Sequence, residues 1–375
     1  MKLSRLIADK QVIVCCGAGG VGKTTTSAAL ALAAARRGRR ALVLTIDPAR
    51  RLAQALGIPP TGKEPVLIDS TILSRASLTL APGGELHAWM LDPRVVLESV
   101  VDRFAPNPEA AARIRKTRLY EALSEVMAGL QEYTAAEALY EFTEQGRFDV
   151  IILDTPPSRN ALDFLDAPRR LARFLDERTL AIFAPDPNTK MNAIMRAASK
   201  IVATAMGKAF GDPFVVELQE FLGAFGTLFG KMRLHAEGVR KLLRSDRAAF
   251  IVVTSPEEAA LDEALFFKGR IHELGLVTEG FVLNRSYASD LNPEHPATVA
   301  KSLHPDSVIL REALGKLVAF AEVEARRAQG DRVLLQRLDT EGRRDGGDGA
   351  MALPYLDEAV EDLPALAQLS EHILL

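Results

Sequence analysis

Gln11-Val12-Ile13-Val14-Cys15-Cys16-Gly17-Ala18-Gly19-Gly20-Val21-Gly22-Lys23-Thr24-Thr25 is the stretch on which the fold of this chain turns. Residues 12–16 form an apolar, β-branched run, and residues 17–24 fit the pattern G-x-x-x-x-G-K-[ST] in full. A helical stretch, 24–37, follows with Gly38 placed as its stop, and a second apolar run occupies 41–46. Strand, glycine-rich loop, helix and strand therefore succeed one another at the expected spacing. In that context glycines let successive backbone N–H groups converge on phosphate oxygens, and the helix N-terminus favours negative charge. Gly19, Gly20, Val21, Gly22, Lys23, Thr24 and Thr25 are the candidate nucleotide-binding residues. Lys23 would neutralise the β- and γ-phosphate charge, and the Thr24 hydroxyl would ligate Mg²⁺. The ligand class this predicts is a nucleoside triphosphate.

Further apolar runs at 148–153, 249–254 and 280–283 read as strands buried on both faces. Their alternation with helical stretches predicts an α/β protein with a doubly wound, mostly parallel sheet. Asp154 closes the third run and would stand at the carboxyl edge of the sheet beside the loop, either holding the Mg²⁺ shell or capping the next turn. Asp47 ends the second run, where a carboxylate would orient an attacking water or cap the helix at 50–56. About ninety residues separate the third and fourth runs, far more than a crossover needs, so an all-α subdomain from about 93–145 and 160–245 is expected within a single domain. Phe210, Phe214, Phe221, Phe225, Phe229 and Met232 recur there at helical spacing, either as that subdomain's own core or as an apolar client groove. The charged, glycine-rich segment at about 339–350 reads as a flexible loop.

Composition narrows the function classes. The 375 residues are 48% hydrophobic and 25% charged, and 46 Lys+Arg against 49 Asp+Glu leave a net charge of −3. Such a chain folds as a globular protein and is not built for electrostatic capture of nucleic acid. Its two cysteines, Cys15 and Cys16, are neighbours in the first strand, which leaves neither a disulfide framework nor a zinc site and fits a reducing cytosol. The start of the chain lacks the apolar stretch of a signal peptide, and no run of about 18 apolar residues follows, so a soluble, cytoplasmic protein is expected.

The motif order is specific. The phosphate loop, Asp47-Pro48-Ala49, Leu91-Asp92-Pro93, Asp154-Thr155-x-Pro157, Leu162-x-Phe164-Leu165-x-x-Pro168 and Leu283-Asn284-Arg285 resemble, over most of the chain, the arsenite-pump ATPases and the ATPases that target tail-anchored membrane proteins. The resemblance implies a P-loop fold with a deviant Walker A loop, Mg²⁺-dependent hydrolysis of ATP, and a nucleotide-sandwich dimer with switch segments at 47–52 and 154–160. It implies that Asp47 and Lys23 are catalytic, Asp47 by positioning water. It also implies that Asn284 hydrogen-bonds adenine, that Pro354 walls the base, and that the inserted helices hold a hydrophobic or membrane-protein client. Transient membrane association would then come through a partner. Three positions depart from the family pattern: Ala18 stands where a lysine usually reaches the partner's phosphates, Asn160 where the second switch often has His, and the zinc-bridging cysteine pair is absent. The first departure leaves either a homodimer or a heterodimer with a related, lysine-bearing ATPase; the third predicts no zinc. Two other roles share the loop: an accessory ATPase for oxyanion efflux, and a ParA/MinD-like positioning ATPase. The acidic end at 358–375 carries no basic amphipathic helix for the latter.

Overall fold

Alternation along β1 (Val12–Cys16) shows how the sequence builds two cores from one sheet. Val12, Val14 and Cys16 face one apolar cluster and Ile13 and Cys15 the other, each residue 0% exposed. The same period of two recurs in β2 (Arg40–Thr45), β5 (Val150–Asp154) and β6 (Ala248–Thr254), so the interiors of these central strands are apolar on both faces and polar residues stand only at their ends. With β3 (Val66–Leu67), β4 (Glu85–Met90), β7 (Thr278–Ser286) and β8 (Ala350–Pro354) they form one eight-stranded sheet in the order β3-β4-β2-β5-β1-β6-β7-β8. All pairings are parallel except β3 with β4. The computed structural model describes residues 2–45, 51–58, 64–92, 107–116, 128–156, 193–216, 237–288, 308–356 and 362–375, with scattered residues between them.

The described helices, in chain order, are α1 (Leu3–Asp9), α2 (Lys23–Arg36), α3 (Arg51–Leu56), α4 (Ser70–Arg75), α5 (Pro108–Arg115), α6 (Ala128–Gln145), α7 (Ala193–Phe210), α8 (Glu258–Glu273), α9 (Val308–Arg344) and α10 (Leu363–Leu374). One sheet face packs against α1, α2, α3 and α10. The other packs against α6, α8, the helical residues 237–243 and the C-terminal end of α9. Where both helical blocks of the insertion are described they meet: His235 Nδ1 lies 2.7 Å from Glu137 Oε1, and a Cβ on Gly238 would come within 2.4 Å of the Tyr140 ring.

The five strands read from sequence are present with shifted ends, and three more join them. β4 carries Glu85 and His87, which disguise it. His87 is nevertheless buried, its Nε2 2.9 Å from Glu85 Oε2 and its ring edge-on to Phe148 at 5.0 Å. β8 is short and ends in Pro354, which needs no ladder donor at an edge. The expected loop at 339–350 is corrected. Residues through Arg344 belong to α9, and the rest form a bonded turn leading into β8. There the Asp348 amide donates to Glu279 O at 2.6 Å and the Ala350 amide to Asp339 Oδ1 at 2.9 Å. Gly342 reads in sequence as a loop residue, yet a Cβ there would lie 2.5 Å from Gly349 O, so its bareness serves close packing.

Candidate functional site

β1, β5 and β2 lie side by side with Cys15 opposite Asp154 and Asp154 opposite Thr45, so three strand ends share the carboxyl edge of the sheet. The loop leaves β1 there and enters α2 through Gly22, whose φ of +89° only glycine adopts readily. A Cβ on Gly22 would also fall 2.1 Å from Asn284 Nδ2. Gly19 and Gly20 are exposed at the tip, Val21 is buried, and Thr25 sits half-buried in the first turn of α2.

Lys23 is 6% exposed, and its ammonium donates to Ala18 O at 2.6 Å, folded back across the loop. Thr24 Oγ1 donates to Asp154 Oδ2 at 2.7 Å, and Thr45 Oγ1 donates to the same oxygen at 2.9 Å. Asp154 is 0% exposed, which makes it a fully buried carboxylate at a strand end. Beyond it the Thr155 hydroxyl donates to Cys15 O at 2.8 Å. Asn284, at the end of β7, donates from Nδ2 to Val21 O at 2.9 Å, so it braces the loop from beneath. Pro354 ends β8 opposite Ser286, on the same edge.

The structure thus gathers Gly19, Gly20, Val21, Gly22, Lys23, Thr24, Thr25, Asp154, Asn284 and Pro354 along one sheet edge. Asp47 and residues 157–160 of the second switch lie outside the described residues. So do Phe221, Phe225, Phe229 and Met232; Phe210 ends α7, and Phe214 is half-buried in the helical stretch that follows. Thr45 is a site residue that the sequence reading did not single out. Its only signal is a hydroxyl at the end of an otherwise aliphatic strand.

Thr24 Oγ1 and Asp154 Oδ2 are hard oxygen donors in mutual contact beside a phosphate cradle, a donor set that suits Mg²⁺. Among the described residues no cluster of three or more His, Cys, Asp or Glu could hold a metal by itself. Both cysteines are wholly buried. Burial pushes the Cys15 thiol far above its ordinary range, and it pushes Cys16 up to about 12 despite nearby Lys23. Among the described residues no helix is long and apolar enough to cross a membrane.

A glycine-rich turn from a central parallel strand into a helix, with Lys and Thr at the helix start and a buried Asp on the adjoining strand, defines a P-loop nucleoside triphosphatase fold. The model of the anion-transporting ATPase (ArsA) family matches residues 10–304, and the chain belongs to that family. It is similar to protein Rv2184c of Mycobacterium tuberculosis, 28% identical over 77% of this chain and 64% of that protein. ATPase BagA of the same organism is 24% identical over 78% of this chain and 70% of its own length. ATPase ARSA1 of Chlamydomonas reinhardtii is 26% identical over 68% of this chain and 32% of its own. The match thus spans less than two thirds of the length of two of these three curated relatives.

Proposed function

We propose that the chain is a Mg²⁺-dependent ATPase, converting ATP and water to ADP and phosphate, and that its nucleotide state drives a dimer that binds or hands over a hydrophobic protein client or membrane partner. The observation that carries the reading is the shared oxygen of Asp154, which takes one hydroxyl from the phosphate loop and one from the end of β2. Thr45 lies two residues before Asp47 in the sequence, so the phosphate loop and the end of β2 that leads to Asp47 meet at one carboxylate. Bound Mg²⁺ would supply charge neutralisation between the terminal phosphates. Thr24 and Asp154 would hold it, the Thr24 hydroxyl through a lone pair while its proton stays on Asp154. Lys23 releases Ala18 O to meet the phosphate charge, and Asp47 orients the attacking water.

Steady-state turnover of purified protein tests the chemistry. Lys23→Ala abolishes nucleotide binding or turnover, whereas Asp47→Asn keeps binding and slows hydrolysis by about 10²-fold or more, the scale of a lost positioned base. Unchanged turnover in Asp47→Asn rejects the assignment. The client role is tested by the binding of an apolar helical peptide with and without ATP. Phe221→Asp weakens that binding if the phenylalanine stretch forms the groove, and an unaffected interaction counts against it.

The family description favours a second reading, an accessory ATPase for anion transport. Thiol sensing of arsenite is disfavoured because both cysteines are buried and held protonated, which withholds the thiolate a soft ligand site needs. Stimulation of turnover by an oxyanion would support this reading, and indifference to all of them would remove it.

A further inference from the structure

We propose that Asp331, on α9, is a positioning residue for the base end of the nucleotide site; this rests on the reading that a nucleotide occupies the phosphate loop with its base against Asn284 and Pro354. β7 does not pass the site as a regular strand. Leu283 lies opposite Ala352 but Ser286 lies opposite Pro354, so β7 carries one residue more than β8 across this interval. Arg285 takes up the excess at φ +56°, a left-handed conformation that costs energy for a residue with a side chain. Bulges of this kind re-aim a neighbouring side chain. Here the neighbour is Asn284, 3% exposed, whose amide reaches Val21 O.

A strained bulge persists only where its surroundings over-determine it. Asp331 provides that constraint. It is 6% exposed, and its Oδ2 accepts the Tyr287 amide at 2.7 Å and the Ser286 hydroxyl at 3.1 Å, the two residues that follow the bulge. Ser286 Oγ in turn accepts the Ala288 amide at 3.0 Å. One turn earlier on α9, the Arg327 guanidinium lies over the Tyr287 ring at 5.9 Å. Tyr287 stacks on Tyr355 with centroids 5.1 Å apart and planes 16° from parallel, and Tyr355 follows Pro354. One buried carboxylate therefore fixes the end of β7, which carries Asn284, and bears on the end of β8 through the Tyr287–Tyr355 stack, while neither of its hydrogen bonds goes to the loop that grips phosphate.

That separation sets the test. Calorimetric titration of the full chain, with Mg²⁺, compares ATP with inorganic tripolyphosphate, which has the charged tail and no base. Asp331→Ala weakens ATP binding about tenfold or more, the scale of lost hydrogen bonds to a buried charge, and leaves tripolyphosphate within about twofold. Asp331→Asn, whose amide oxygen still accepts both bonds, recovers most of the ATP affinity. Arg327→Ala, an exposed change that folding tolerates, loses about threefold for ATP alone and decides the matter if Asp331→Ala does not fold. Equal losses for both ligands, or no loss for ATP, overturn the proposal while sparing the phosphate loop. A wild-type chain that binds neither ligand overturns the underlying reading and this one with it.

Discussion

Asp154 Oδ2 receives hydroxyls from residues 130 and 109 positions away along the chain, and both bonds are buried or nearly so. Removing one leaves a buried carboxylate under-satisfied, which costs about 1–3 kcal/mol. Thr45→Val keeps the shape of the side chain and deletes the donor, so it should lower unfolding stability by that amount in a denaturant titration. It should also raise the Mg²⁺ concentration needed for half-maximal turnover. The cysteines give a second residue-scale prediction. Burial holds Cys16 at about 12 when folded, up from 9.0, and Cys15 higher still. Between those limits the folded chain keeps protons that the unfolded chain has lost. Their contribution is therefore complete below about pH 9 and is lost as pH rises toward 12. The melting temperature should fall over that interval, less steeply in a Cys15→Ala/Cys16→Ala variant, and native protein should resist iodoacetamide at pH 8 until it is unfolded.

Elements differ in how openly the sequence declares them. β1, β2, β5 and β6 announce themselves because a strand buried on both faces is apolar through its interior, and the phosphate loop because its eight residues are contiguous. β4 hides behind Glu85 and His87: Glu85 stays exposed, while His87 is buried through its pairing with Glu85 and its edge-on contact with Phe148. The end of α9 hides behind Gly342, Arg343 and Arg344: glycine beside charges reads as loop, and only the approach of Gly349 explains the glycine. Asn284 was reached through family resemblance alone, since its partner Val21 is 263 residues away. Thr45 and Asp331 were not reached, because a lone hydroxyl or carboxylate gains meaning only from donors that other segments bring. Gly342→Val gives a direct test of the helix end. Its side chain would strike backbone, and overpacking of this kind costs about 1–3 kcal/mol, seen as a lower melting temperature with turnover at permissive temperature preserved.

For the molecule as a whole, assembly is the property that Ala18 puts in question. Light scattering with Mg²⁺ and ATP should report a dimer, either from the chain alone or only after a lysine-bearing relative is added. A monomer under both conditions would reject the sandwich arrangement. The order of the sheet carries another consequence. β1, which delivers the loop, is flanked by β5 and β6, with Val12 registered against Ile151 on one side and Ala248 on the other. Contacts so distant in sequence make for slow folding. During synthesis the amino-terminal third leaves the ribosome with its central strand bare on both edges. The phosphate loop cannot receive its brace until Asn284 has been translated, so the nascent chain passes most of its birth with that loop unsupported.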